Sequence, residues 1–115
     1  MLRMSELRSA VSATESGPLI ALSGEADLGT AAALGEVLSA QVKAENTTHL
    51  TLDLSQVSFM DSMAVRLLIM TGRLLRERGG ALILDKPREE VARALEMMGV
   101  DQIITVQGGA WRGST

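Results

Sequence analysis

A chain of 115 residues has room for one compact domain, and its 46% hydrophobic and 22% charged content excludes global disorder. A formal charge of −3 and a pI near 5.1 exclude a basic nucleic-acid footprint over the chain as a whole. The absence of cysteine and tyrosine, a single histidine and 2% aromatics exclude disulfide scaffolds, thiolate or multi-histidine metal sites and base-stacking platforms.

The segment Leu7 to Thr14 is partly alternating and predicts a first strand, with a turn at Gly17-Pro18. Leu19 to Leu22 predicts a second strand, paired with the first as a hairpin. From Thr30 to Ala44 the residues Ala31, Leu34, Val37, Leu38, Gln41 and Val42 recur at helical spacing, with Thr30 as N-cap. Leu50 to Leu54 alternates and predicts a third strand. Ser55 to Asp61 reads as a loop plugged by Val57, Phe59 and Met60. A second helix runs from Ser62 to Arg78 and stops at Gly79-Gly80. Ala81 to Leu84 is a short, wholly apolar fourth strand. Pro87 at the first helical position, with Glu89 and Glu90 behind it, opens a third helix that Gly99 ends. Ile103 to Val106 adds a short fifth strand. The tail from Gln107 to Thr115, with three glycines and the only tryptophan, is expected to be flexible.

The order β-β-α-β-α-β-α-(β) predicts a single α/β domain over residues 1–106, with a mixed sheet of four to five strands covered by helices. No apolar run reaches the roughly 18 residues of a membrane span, and no signal-peptide h-region opens the chain, so a cytoplasmic protein is expected.

No catalytic constellation emerges. His49 has no triad or metal partner at suitable spacing, and neither a dinucleotide fingerprint nor a P-loop occurs. An enzyme is therefore not expected, and neither a cofactor nor a metal. The stretch from Leu52 to Ser62 stands apart, because it delivers an Asp-Ser pair onto a helix N-terminus. Asp61 or Ser62 could serve as a helix cap, a structural role worth about 1 kcal/mol. The alternative to that favoured structural role is that Ser62 is an exposed hydroxyl open to phosphorylation, its dianion accommodated by free N–H groups and the helix dipole.

The segment Asp53 to Ile69 resembles the signature of the STAS domain, the family of anti-sigma factor antagonists and sulphate-transporter cytoplasmic domains. Asp53, Ser55, Val57, Phe59, Met60, Asp61 and Ser62 match it in order and spacing, and Leu22-Ser23-Gly24-Glu25-Ala26-Asp27 is similar to a second family element. The resemblance implies a STAS fold in which Ser62 is phosphorylated by an anti-sigma factor that is a serine kinase. Only the unphosphorylated form would bind that partner and release a sigma factor. It also implies that Asp27 lies on the partner-binding surface and that Asp61 shapes the surroundings of Ser62. Met63 and Ala64 depart from the usual small hydroxyl residue and glycine, and Arg66 from a small or apolar residue, which implies altered kinase recognition.

Laid out at about 100° per residue, the second helix places Ala64, Leu67, Leu68, Thr71, Leu74 and Leu75 on the core side. Ser62, Arg66, Ile69 and Arg73 share a narrow opposite sector, with Ile69 as an apolar centre among arginines and Arg76 just outside. The expected partner surface is therefore Asp27, Asp61, Ser62, Arg66, Ile69 and Arg73, with no direct nucleic-acid contact; a homodimer is compatible with it. The alternative is a STAS scaffold or accessory subunit of a stress-signalling complex or transporter, in which Ser62 does not switch. Asp27, following a strand with no evident cap geometry, is expected to contribute to binding and not to stability.

Overall fold

Ile20 and Leu22, Leu50, Leu52 and Leu54, and Leu82 and Leu84 are all buried, and each set alternates with more exposed neighbours. A strand patterned this way has one face to hide, so the three segments are driven to align those faces under a common cover. In the computed structural model, which describes residues 5–113, they do so within a single sheet. The elements are β1 (Leu7–Thr14), β2 (Gly17–Ala26), α1 (Ala31–Val42), β3 (His49–Met60), α2 (Ser62–Glu77), β4 (Ala81–Asp85), α3 (Glu89–Met97), a 3-10 turn (Val100–Gln102) and β5 (Thr105–Gln107). The sheet order is β1-β2-β3-β4-β5, with β1 antiparallel to β2 and the other pairs parallel. The expected mixed α/β architecture and element order are observed, with a fifth strand present.

Leu34 and Leu38 of α1, Val65, Leu68 and Leu75 of α2, and Val91 and Leu95 of α3 join the strand leucines in one apolar cluster. The opposite sheet face, with Ala21, Thr51 and Ile83, is only half-buried. Gly72 lets α2 approach Ile104 closely: a β-carbon there would stand 2.7 Å from its side chain.

Several boundaries differ from expectation. The hairpin turns at Glu15-Ser16, because Gly17 already pairs with Thr14 and accepts the Thr14 hydroxyl at 2.6 Å. Pro87 precedes the third helix, whose N-cap is Arg88. Among the described residues beyond the fifth strand, the Ala110 N–H donates to the Pro87 carbonyl at 2.8 Å and Trp111 packs on the core, while Ser114 and Thr115 lie outside the described residues. Burying part of an indole offsets the entropy of ordering a glycine-rich segment.

The largest difference concerns Ser55 to Met60, which is strand and not loop. Ala21 pairs with Asp53 and Ser23 with Gln56; Gly24 pairs with Val57 and Glu25 with Phe59. Each step carries one extra residue on β3, so the strand is bulged twice. Its core-facing residues therefore run Leu50, Leu52, Leu54, Val57 and Met60, an alternation stretched from two to three. Asp53 supports the first bulge by accepting the Ser55 N–H at 2.9 Å. That N–H, the Ser55 hydroxyl and the charge of Lys86 hold the Asp53 carboxyl below its ordinary range, against partial desolvation.

A carboxyl whose pKa falls on folding contributes stability above the unfolded pKa and loses it as pH drops. Asp53→Ala should therefore cost about 1 kcal/mol at pH 7. In chemical denaturation across pH, the gap to wild type should close below about pH 4.

Candidate functional site

The parallel ladder between β2 and β3 ends at the pair Ala26 and Met60, and the next N–H, of Asp61, donates to the Ala26 carbonyl at 2.9 Å. Asp27 and Asp61-Ser62 thus leave the sheet side by side. They do so at the C-terminal edge of its parallel strands, the edge at which open α/β sheets place their binding residues.

Asp61 is the N-cap of α2. Its backbone is extended, with φ −98° and ψ 179°, and its carboxylate accepts the Ala64 N–H at 3.1 Å while its carbonyl accepts the Val65 N–H at 3.1 Å. Ser62 is the first helical residue and is exposed. Its hydroxyl has no hydrogen-bond partner among the described residues. The N–H groups of Ser62 and Met63 belong to the first turn, where no helical carbonyl precedes them. Ala64 is fully buried, so the methyl group that replaces the usual glycine hydrogen packs into the core. Met63 is 40% exposed and stands about 100° round the helix from Ser62.

Asp27 is more constrained than its sequence context suggests. Its carboxylate accepts the Thr30 N–H at 3.2 Å, and its own N–H donates to the Thr30 hydroxyl at 3.0 Å. That hydroxyl donates to the Glu25 carbonyl at 2.8 Å, so Thr30 fastens the turn between β2 and α1 and leaves the helix end without a side-chain cap. The Ser5 hydroxyl also donates to Asp27. It reaches the carboxylate because Gly24, at φ +110°, lets Glu6 cross close by: a β-carbon at Gly24 would lie 2.1 Å from the Glu6 carbonyl oxygen. The Ser5 hydroxyl is the main cause that holds the Asp27 carboxyl below its ordinary range; desolvation opposes it, and the Gly29 and Thr30 N–H groups and the Thr30 hydroxyl add to it. The expectation that Asp27 has no cap-like geometry is corrected: it closes the turn that leads into α1.

On α2 the arrangement is rotated from the sequence layout. Ala64, Val65, Leu68, Thr71, Gly72 and Leu75 are buried, whereas Leu67 and Leu74 are only half-buried. Ile69 is not an exposed centre among arginines but is half-buried and packed on the core. Its flank of the helix faces the chain around Ile104, which fits against Gly72, and Gln102, whose carbonyl accepts from Arg76 at 3.3 Å. Ser62, Arg66 and Arg73 do share an exposed face, and the apolar residue on it is Met70, 64% exposed. Leu28, 72% exposed, adds a second apolar residue beside Asp27, in a shallow concavity formed with Ser5, Gly29 and Asp61. The repeat of Met63 and Met70 at seven residues was the available signal for the first; nothing local marks Leu28 as exposed.

His49 lies at the far end of β3, its Nδ1 2.9 Å from the Thr48 hydroxyl. Among the described residues no cluster of three or more His, Cys, Asp or Glu could hold a metal ion, and no helix is long and apolar enough to cross a membrane.

Comparison with known proteins places this geometry. The family described as "Mlab, STAS domain" matches residues 9–106. The anti-sigma-B factor antagonist of Bacillus subtilis (strain 168) is 31% identical over 85 residues, which are 74% of this chain and 76% of that protein. An anti-sigma factor antagonist from Mycobacterium paratuberculosis superposes with a TM-score of 0.74 at 26% identity, covering 88% of this chain and 85% of that one. The Bacillus protein SpoIIAA shares the fold at 22% identity in both its forms. The unphosphorylated form gives a TM-score of 0.73 over 87% of this chain and 88% of SpoIIAA, and the phosphorylated form 0.67 over 87% and 91%.

Because folding lowers the Asp27 pKa, its contribution to stability is present above the ordinary carboxylate range and is lost as pH falls below that range through the lowered folded-state pKa. Asp27→Ala should therefore lower the Tm by a few degrees at pH 7. The difference should shrink in parallel thermal melts as pH falls below the ordinary carboxylate range. Asp27→Asn, which keeps an accepting oxygen, should retain much of the pH 7 stability.

Proposed function

The chain belongs to the STAS domain family, and we propose that within it this protein is an anti-sigma factor antagonist switched by phosphorylation of Ser62. It acts in the cytoplasm by binding an anti-sigma factor that is also a serine kinase, and it performs no chemistry of its own. ATP and Mg²⁺ belong to the kinase, which transfers the γ-phosphoryl group to the Ser62 oxygen.

One observation carries this reading. The residue that caps α2 is Asp61, so the hydroxyl of Ser62 is exposed and uncommitted. A serine needed for capping would have its oxygen turned into the first turn of the helix. The relatives described above, named as anti-sigma factor antagonists, support the binding role.

The switch follows from charge. A phosphoryl group on Ser62 adds about −1.5 to −2 charges at pH 7. In the free domain the N–H groups of the first turn, the positive helix end and Arg66 one turn along accommodate it, so the fold persists. In a complex the same dianion loses its hydration beside the carboxylates of Asp27 and Asp61. An uncompensated buried charge costs about 3–5 kcal/mol, which corresponds to two to three orders of magnitude or more in affinity.

Titration calorimetry against the cognate anti-sigma factor tests this. Ser62→Ala should bind as tightly as the unphosphorylated protein and be indifferent to kinase and ATP. Ser62→Asp should stay folded and bind at least about tenfold more weakly. Equal affinities for all three forms, with no phosphate incorporated into wild type, would overturn the switch and leave the constitutive scaffold reading.

A further inference from the structure

Among the described residues the cations fall into three groups. Arg76, Arg78 and Arg88 each donate to a main-chain carbonyl, while Arg8, Lys86 and Arg93 pair with carboxylates. Arg66 and Arg73, like Lys43 and Arg112, do neither among those residues; both arginines of α2 are exposed, and Glu77 stands one turn beyond Arg73. They lie about 10 Å apart along α2, with Met70 between them in sequence and Met63 one turn before Arg66. On the other side of Met70 runs a groove between α1 and α2, lined by Gly35, Leu38, Ser39, Val42, Leu67 and Leu74. Its volume of about 210 Å³ is below the roughly 300–1,000 Å³ of a small-molecule pocket and suits inserted side chains. The rim on α1 is formed by Gly35 and Ser39, small enough for another backbone to approach.

We propose that this strip docks an acidic amphipathic helix of the partner protein, with an apolar side chain of that helix on Met70 and two of its carboxylates on Arg66 and Arg73. Deepening the reading above, it rests on that reading only in assigning this face to a protein partner. Two unpaired guanidinium groups flanking exposed apolar side chains form half of a complementary charge pattern, an apolar centre with a charged rim. Asp27, Asp61 and Glu77 at the two ends of the strip oppose an anionic lipid surface. The acidic helix α3, with Glu89, Glu90, Glu96 and an exposed Met97, would be the matching surface of a second copy. A contact of α2 with the α3 of another copy makes a two-fold dimer if it is reciprocal and open chains or rings if it is not. The charge pattern of the strip favours a separate partner as the occupant, and self-association is an outcome of the test.

The probe is a designed helical peptide of about 20 residues, with a leucine stripe flanked by glutamates, compared with the same peptide carrying lysines for glutamates. Amide shifts of the full ¹⁵N-labelled chain are followed by NMR, and affinities by fluorescence anisotropy. The acidic peptide should perturb amides of residues 62–74 and 35–42, and its affinity should fall as salt rises. Charge reversal by Arg66→Glu with Arg73→Glu should weaken binding at least about tenfold, and Met70→Ala several-fold. All three positions are exposed, and circular dichroism checks that the variants stay folded. Equal binding of the lysine peptide, perturbation elsewhere, or no binding at millimolar peptide would overturn the proposal. So would concentration-dependent self-association that perturbs α2 and α3 together, or co-sedimentation with phosphatidylglycerol vesicles abolished by the charge reversal. Phosphorylation has no part in these measurements, so the strip can fail while the Ser62 switch stands, and the reverse.

Discussion

The 2.9 Å hydrogen bond from the Asp61 N–H to the Ala26 carbonyl closes the parallel ladder between β2 and β3, and the site is organised around it. It brings Asp27 and Asp61 into one neighbourhood although they are far apart in sequence. It also sets the direction in which α2 leaves the sheet. Below it, the two bulges of β3 let a longer strand run beside a shorter one without turning its leucines away from the core. Asp53 steadies the first bulge and Gly24 admits Ser5 and Glu6 beside Asp27. Residues that resemble a binding signature in sequence thus act in two different ways. Asp53 and Gly24 shape the backbone, whereas Asp27 and Ser62 lie at its tip.

At that tip, adjacent residues divide capping from exposure. Asp61 satisfies the helix end, and Ser62 is left with an unengaged hydroxyl in the field of the same helix. A helix start tolerates negative charge through its free N–H groups and dipole, so the phosphoryl group proposed for Ser62 would be accommodated there without unfolding. Asp27 shows the converse economy, since one carboxylate both closes the turn into α1 and lies on the outward surface.

The length, the alternating leucines and the helix stops determined the α/β class and the order of elements, because burial of one face leaves a period that can be read directly. The location of Ser62 at a helix start was also legible, since Asp61-Ser62 precedes a helical apolar repeat. The β3 bulges were not, because each shifts the alternation by one residue and a strand then looks like a plugged loop. Ile69 was misplaced for a related reason. A helical wheel fixes angles between side chains but not where the wheel faces, and here the chain around Gln102 and Ile104 covers the flank that the sequence left open, while Met70 remains outside. The tether of Asp27 to Ser5 and Thr30 depends on a strand crossing at Gly24 that no local pattern records. Local periodicity thus determined which elements form, whereas which surfaces stay exposed was decided by contacts between segments distant in sequence, because burial belongs to the packed whole and not to any one element.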